Sequence, residues 1–397
     1  MPRAKRYHIL NKTIVFDSDS RDCLRLFDLD YHRFRITASK TNDAVMPIHI
    51  CINHKTPHIR INDRVYPVNG HPTPEKYAYQ IILWELFEQS DDFFLLHAGV
   101  VSKNDQAIII AGYPGTGKTT LVLALLKSGF TFYSDEICPI HKKTGKIHPF
   151  LRTPWVKTDA YDRQLNGNGL QDMLRKNKIP FELKSPLNAG RLKPLSPGIL
   201  ICIDPVCIDS GRQNNGLGNE ICVCLKPEAN DQFDVALTRL KSRLTHPDRL
   251  SAERVTDVYP YWKITYSPED DMTGTIDGLL DKFRKHIWNV YRMNTIQPDF
   301  TGIPAIKKIS TDAAALFVLN EIKFGSPLTS AKHHVNHMPG KFFMQLCERL
   351  AGMDCYRLTT GRLDIMLSHI QQLIHCKRSQ GTASALFPGT SVLSSPK

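Results

Sequence analysis

The chain has 397 residues, of which 42% are hydrophobic and 23% charged, a balance typical of globular proteins with room for two or three compact units. No stretch approaches the roughly 20 apolar residues that cross a bilayer, and the basic start Met1-Pro2-Arg3-Ala4-Lys5-Arg6 leads into no apolar segment, so neither a membrane partner nor a secretory signal is expected. The formal net charge of +12 calls for acidic partners, at minimum a nucleotide, but the basic residues are spread without aromatic interleaving, so nucleic acid is not an expected partner.

The 10 cysteines are scattered with no C-x-x-C pair, which reads as free thiols in a cytoplasmic protein. Cys222-Val223-Cys224 alternates as a strand does, with both thiols on one face, a poor geometry for zinc.

Residues 1–90 read as a small β-rich unit with a helix. His58-Ile59-Arg60-Ile61 and Arg64-Val65-Tyr66-Pro67-Val68 alternate with period two about Asn62-Asp63, a hairpin signal. Thr73 is suited to cap the helix and Pro74 to its first turn, with Ala78, Ile82 and Leu86 at helical spacing. From Phe93 onward, Leu95-Leu96-His97-Ala98-Gly99-Val100-Val101 reads as one strand and Ala107-Ile108-Ile109-Ile110-Ala111 as the next, joined by Lys103-Asn104-Asp105-Gln106. So short a connection joins only antiparallel neighbours, because a parallel crossover needs a dozen residues or more. A mixed sheet is expected.

Gly112-Tyr113-Pro114-Gly115-Thr116-Gly117-Lys118-Thr119, followed by Thr120, fits the phosphate-loop pattern G-x-x-x-x-G-K-[ST] without a gap. Glycines let backbone N–H groups turn inward around phosphate oxygens. Lys118 suits the β- and γ-phosphates, and the Thr119 hydroxyl suits Mg²⁺. The apolar strand before the loop and Leu121-Val122-Leu123-Ala124-Leu125-Leu126 after it, closing at Gly129, aim a helix N-terminus at a bound anion. The lysine is expected to be solvated, so that Lys118→Ala leaves the fold intact.

Phe130 to Ile140 reads as one strand with Asp135-Glu136 in its middle, directly after the loop's helix, and Arg152 follows Ile147-His148-Pro149-Phe150. Residues 159–188 are polar and read as helical in places, interrupted at Asn166-Gly167-Asn168-Gly169 by a strong turn signal that reads as a mobile surface loop. Gly198-Ile199-Leu200-Ile201-Cys202-Ile203 returns as a buried strand, and Leu279 to Trp288 reads as helical. Ser310 or Thr311 caps a helix through Ala313, Leu316, Phe317 and Leu319; a helix spans Phe342 to Leu350; Cys355-Tyr356-Arg357-Leu358 is a strand. A last helix carries Leu363, Met366, Leu367, Ile370, Leu373 and Ile374. His333, His334 and His337 hold an i, i+4 pair without a third ligand and read as a solvated loop. Residues 377–397, rich in Ser, Gly, Thr and Pro, are expected to be disordered.

Together, His97-Ala98-Gly99-Val100, the hairpin, Gly112 to Thr120, the helix to Gly129 and Ser134-Asp135-Glu136 resemble the HPr kinase/phosphorylase superfamily, and more widely the phosphoenolpyruvate carboxykinase-like P-loop fold. The Cys355-Tyr356-Arg357-Leu358 strand and its helix resemble HPr-kinase-related proteins of biosynthetic clusters, including kinases of ribosomal peptides. The resemblance implies an α/β fold with a mixed sheet: a kinase core at 91–204 and 303–376, the N-terminal β-rich unit, and an inserted subdomain at 205–302. It implies that Asp135 takes the proton from the acceptor hydroxyl and that His97 lies next to it. Thr119, Asp135 and Glu136 would hold Mg²⁺, with Glu136 standing where the family has a second aspartate. Arg152 falls where related kinases carry an arginine facing the nucleotide, a surface cation being the alternative. No counterpart of the C-terminal signature of HPr kinase/phosphorylases is present, so an acceptor other than HPr is expected.

The expected activity is transfer of the γ-phosphate of ATP to a Ser/Thr-type hydroxyl of a protein, peptide or small molecule, with Asp135, Lys118 and His97 as the catalytic set and residues 112–120 and Arg152 binding nucleotide. A carboxykinase-like phosphotransferase and a nucleotide-binding regulator without turnover are the alternatives. An ABC-type ATPase is set aside because the chain has no L-S-G-G-Q signature. The oligomeric state is open, a homo-oligomer included.

Overall fold

The structure, a computed structural model, describes residues 4–36, 44–53, 55–68, 74–113, 115–157, 178–180, 192–206, 219–255, 261–267, 270–292, 298–325 and 339–385. Over these residues the chain is α/β, with mixed sheets and eight α-helices. Pro114, Thr73, Asn166-Gly167-Asn168-Gly169 with the rest of the polar stretch 159–188 apart from residues 178–180, and His333, His334 and His337 lie outside the described residues. Lys178–Pro180, in a stretch expected to be helical in places, is a strand, because it pairs with Trp155–Lys157.

Strands β1 (Lys5–Ile9) and β2 (Lys12–Ser18) form a hairpin that turns at Leu10 and Asn11, both at positive φ. Helix α1 (Arg21–Tyr31) begins where the Ser20 hydroxyl accepts the Cys23 N–H. It leads to β3 (Ala44–Cys51), which lies parallel to β2. Strands β4 (His58–Ile61) and β5 (Arg64–Pro67) close about Asn62, at φ 52°, with Ile61 opposite Arg64, the hairpin that the period-two pattern predicts. The five strands make one sheet in the order β1-β2-β3-β4-β5. Helix α2 (Pro74–Glu88) is apolar nearly all round and buries Ile81, Ile82, Trp84 and Phe87. Its buried Glu85 is held by Arg64 and Tyr66 of β5.

The next segment corrects two expectations. The run from Leu95 to Val101 is broken at His97 into β6 (Phe93–Leu96) and β7 (Ala98–Lys103). Strand β8 (Gln106–Gly112) and helix α3 (Lys118–Lys127) follow; then Phe130 to Ile140 is broken at Asp135-Glu136 into β9 (Thr131–Ser134) and β10 (Cys138–His141). Strand β6 pairs with β10, while β7 and β9 belong to the main sheet. The cause is local: the Ser134 hydroxyl accepts the backbone N–H groups of Glu136 and Ile137, at 3.3 and 3.1 Å, and so competes with the strand ladder. Leu96 stands opposite Cys138 and Val100 opposite Ser134, so both breaks fall at one level of the ribbon.

Strands β11 (Trp155–Lys157) and β12 (Lys178–Pro180) pair with each other, and β13 (Ser196–Asp204) lies parallel to β8. The chain then builds β14 (Asn219–Leu225), α4 (Asn230–Arg243), β15 (Leu250–Val255), β16 (Tyr261–Tyr266), α5 (Asp270–Lys282) and β17 (Ile287–Arg292). These strands form a separate antiparallel sheet in the order β15-β16-β14-β17, with its own buried cluster around Phe233, Trp262, Ile264 and Ile276. The helix expected to run from Leu279 to Trp288 therefore ends at Lys282, because the chain from Ile287 pairs along β14 and sheet pairing overrides local preference.

Finally come β18 (Ile306–Ile309), α6 (Thr311–Gly325), α7 (Pro339–Leu350), β19 (Asp354–Thr359) and α8 (Leu363–Ala385). Strand β19 joins β13 in parallel and β18 closes the edge, giving the six-stranded order β18-β19-β13-β8-β7-β9. Helix α8 continues past Lys377, where a disordered tail was expected; packing of Met366 and Ile370 anchors it, and extending an existing helix costs little. One continuous buried cluster runs from Tyr7 to Ile370 and joins the N-terminal sheet to the six-stranded one. No helix among the described residues is long and apolar enough to cross a membrane.

Candidate active site

The strand register gathers the predicted residues at one edge of the main sheet. In the β7–β8 hairpin Ala98 lies opposite Ala111, so His97 and Gly112 step off the two strands side by side. On the other flank Gly112 pairs with Ile203 of the parallel β13, and Asp204 pairs with Thr359 of β19. Beyond β7, strand β9 delivers Asp135 past Ser134, alongside Gly99. A Cβ on Gly99 would stand 2.5 Å from Val122 Cγ2 and 3.8 Å from the Asp135 Cα. Gly99 is thus where β7, the second turn of α3 and Asp135 meet, and Val122 lies about one helical turn beyond Lys118.

The loop itself depends on its glycines. A Cβ on Gly112 would meet Thr116 Oγ1 at 2.9 Å and Ile203 Cβ at 3.0 Å. Gly115 and Gly117 adopt left-handed φ values of 89° and 84°. The buried Thr116 donates its hydroxyl to the Tyr113 carbonyl at 2.8 Å, and its backbone N–H reaches the same oxygen at 3.2 Å. Gly117 precedes α3 without a side-chain cap, so the first-turn N–H groups are left to an anionic ligand or water. Thr119 is half-buried and Thr120 exposed in that turn. The Tyr113 ring packs edge-on against Phe317 of α6, with ring centroids 5.7 Å apart.

Lys118 corrects the expectation of a solvated side chain. It is only 6% exposed, and its Nζ donates to the carbonyls of Gly112 at 2.5 Å and Tyr113 at 3.1 Å. The ammonium lies inside the curl of its own loop because the inward-turned backbone offers carbonyl oxygens as well as N–H groups.

Asp135 is 7% exposed and Glu136 half-exposed. Arg152 is no surface cation: it is 1% exposed, its Nη1 donates to the Glu136 carboxylate, and its Nε donates to Asp30 Oδ2 at 2.9 Å. Asp30, at the end of α1, also accepts from Tyr79 and, at 2.6 Å, from Trp155 Nε1. Burial opposes the charge on Arg152, but Glu136, Tyr79 and Asp30 outweigh it and hold the guanidinium well above its ordinary pKa. Burial, the largest influence, likewise keeps the Tyr79 and Tyr31 phenols protonated well beyond their usual range.

Two residues at this edge were not singled out from the sequence. Asp204 ends β13 beside the loop strand and pairs with Arg357 at 2.6 Å; its signal was an apolar run, Ile199 to Ile203, closed by a carboxylate. Phe300, 45% exposed, brings its Cε1 to 3.3 Å from a Cβ built on Gly117, and its neighbour Asp299 is tied to the Val206 carbonyl by a 2.7 Å hydrogen bond. Phe300 had no local signal. As donors, Thr119, Asp135 and Glu136 offer the hard oxygens that Mg²⁺ takes. No protein-family model matches the chain, and no curated protein sequence matches it.

Proposed function

We propose that this chain is an ATP-dependent kinase related to HPr kinase, built on a phosphoenolpyruvate carboxykinase-like P-loop fold. It would transfer the γ-phosphate to a Ser/Thr-type hydroxyl of a protein, peptide or small molecule. The observation that carries this reading is the shared sheet edge, where the β7–β8 hairpin ends in the glycine loop and β9 brings Asp135 to the same level.

In this reading the loop N–H groups and the start of α3 cradle the phosphates. Lys118 exchanges its bonds to the Gly112 and Tyr113 carbonyls for phosphate oxygens and steadies the transferring group. Asp135 receives the acceptor's proton, and His97, beside Gly112, lies within the same constellation. Thr119, Asp135 and Glu136 would hold Mg²⁺, which when bound neutralises charge on the β- and γ-phosphates. The unit at 205–302 leaves the core after Asp204 and returns at Phe300, both beside the loop. That position suits an inserted subdomain that presents the acceptor.

The test is incubation with γ-labelled ATP and Mg²⁺ against hydroxyl-bearing proteins, peptides and small molecules, followed by product mass. The expected result is an acceptor heavier by one phosphoryl group. ATP binding without any transfer or hydrolysis would favour a nucleotide-binding regulator, and no ATP binding at all would remove the reading.

A further inference from the structure

The ion-pair chain Asp30–Arg152–Glu136 links two parts of the molecule that are remote in sequence. Asp30 closes α1 in the N-terminal unit, while Glu136 adjoins Asp135 at the sheet edge. The link is built with care on one side: Asp30 takes Arg152 Nε, Trp155 Nε1 and the Tyr79 hydroxyl, and its carbonyl accepts the Thr153 N–H at 3.1 Å. The Arg152 guanidinium also lies over the Tyr79 ring, 5.9 Å from its centroid. On the other side it meets one carboxylate oxygen, Glu136 Oε2, on a side chain still 34% exposed.

A purely structural staple would satisfy its own donors, yet the buried Arg152 Nη2 has no hydrogen-bond partner among the described residues. Such local imperfections are tolerated where a site needs a group in a fixed place. The group it holds here is the Glu136 carboxylate, next to Asp135.

We propose that Arg152 is a positioning residue for Glu136, anchored by Asp30, so that α1 of the N-terminal unit braces a metal-binding carboxylate of the site through Arg152. The proposal rests on the nucleotide-binding reading above. An outer partner of this kind orients a ligating carboxylate, and its loss typically lowers metal affinity by about 10–100-fold. The role also reassigns Arg152, which acts through Glu136 and not on the phosphates.

The experiment uses the full chain and a fluorescent ATP analogue, titrated once in EDTA and once at a series of MgCl₂ concentrations, with thermal unfolding recorded for every protein. Arg152→Lys keeps the charge but loses the fork. It is expected to raise the Mg²⁺ concentration for half-maximal tightening by about tenfold while leaving metal-free affinity unchanged. Glu136→Gln should shift the Mg²⁺ dependence in the same way, and the double variant should add little, because both act through one carboxylate. Asp30→Asn should act in the same direction. If Arg152→Lys does not fold, Glu136→Gln carries the test, because its side chain is 34% exposed and its folding is read from the same thermal unfolding, although it removes a carboxylate that faces the buried guanidinium. Unchanged Mg²⁺ dependence in Glu136→Gln, or equal weakening of metal-free and Mg²⁺-supported binding in folded Arg152→Lys, overturns the positioning role while leaving the kinase reading standing. Failure of the wild-type chain to bind the analogue overturns both.

Discussion

Replacing Lys118 separates its two tasks, because the lysine is packed into its own loop. Lys118→Met keeps most of the stem but removes the ammonium and its bonds to Gly112 and Tyr113. Hydrogen bonds from a charged group contribute about 1.5–3 kcal/mol each in net terms. Part of that is offset by releasing a buried charge, so Lys118→Met should lose about 1–2 kcal/mol of stability. Lys118→Ala also uncovers the stem, with about 0.8 kcal/mol per buried methylene, and should lose about 2–4 kcal/mol in total. Both variants should bind ATP roughly 10–100-fold more weakly, the scale of one charge-assisted contact. Urea denaturation without nucleotide gives the first quantity, and fluorescence titration with an ATP analogue gives the second. Full stability in Lys118→Ala would refute the packed lysine. Full stability together with undiminished ATP affinity would remove the phosphate-loop assignment altogether.

Gly99→Ala should lose about 1–3 kcal/mol by overpacking against Val122, and should slow transfer more than it weakens ATP binding because it wedges α3 from Asp135; unaltered denaturation and turnover would contradict the contact. His148, pushed down to about 4 by burial and by the nearby His141 and Lys146, stays neutral in the folded chain while the unfolded chain takes up a proton below about 6.5. Stability should therefore fall as pH drops from about 6.5 to about 4, by about 1–2 kcal/mol once solvent screening of its partly exposed ring is allowed for. This step should be absent in His148→Gln, and an identical pH profile in that variant would contradict it.

The parts of the fold legible in the sequence are those with local chemistry. The hairpin before the loop turns at Asn104 and Asp105, both at positive φ, the backbone of a two-residue turn that asparagine and aspartate tolerate. The loop's glycines announce left-handed backbone in the same way, and Gly115 and Gly117 adopt it. The strand breaks at His97 and Asp135-Glu136 were hidden because apolar runs record burial, not which sheet a strand joins. Arg152 was visible as a candidate, but its partner Asp30 lies 122 positions away, and no pattern in either segment names the other. Phe300 reaches Gly117 only because the inserted unit returns the chain to the loop. Asp204 carries a local signal of its own, an apolar strand, Ile199 to Ile203, that closes on a carboxylate.

The most direct measurement of the central claim is single-turnover transfer from γ-labelled ATP at saturating nucleotide and Mg²⁺, comparing the wild-type chain with Asp135→Asn. The substitution preserves size and removes charge and basicity at the sheet edge beside Gly99. A kinase that uses Asp135 as proton acceptor should still bind ATP at saturating Mg²⁺, with its Mg²⁺ dependence shifted, and lose roughly two or more orders of magnitude in transfer rate, the scale of a general-base contribution. Transfer by Asp135→Asn at close to the wild-type rate would contradict the assignment of Asp135 as the base.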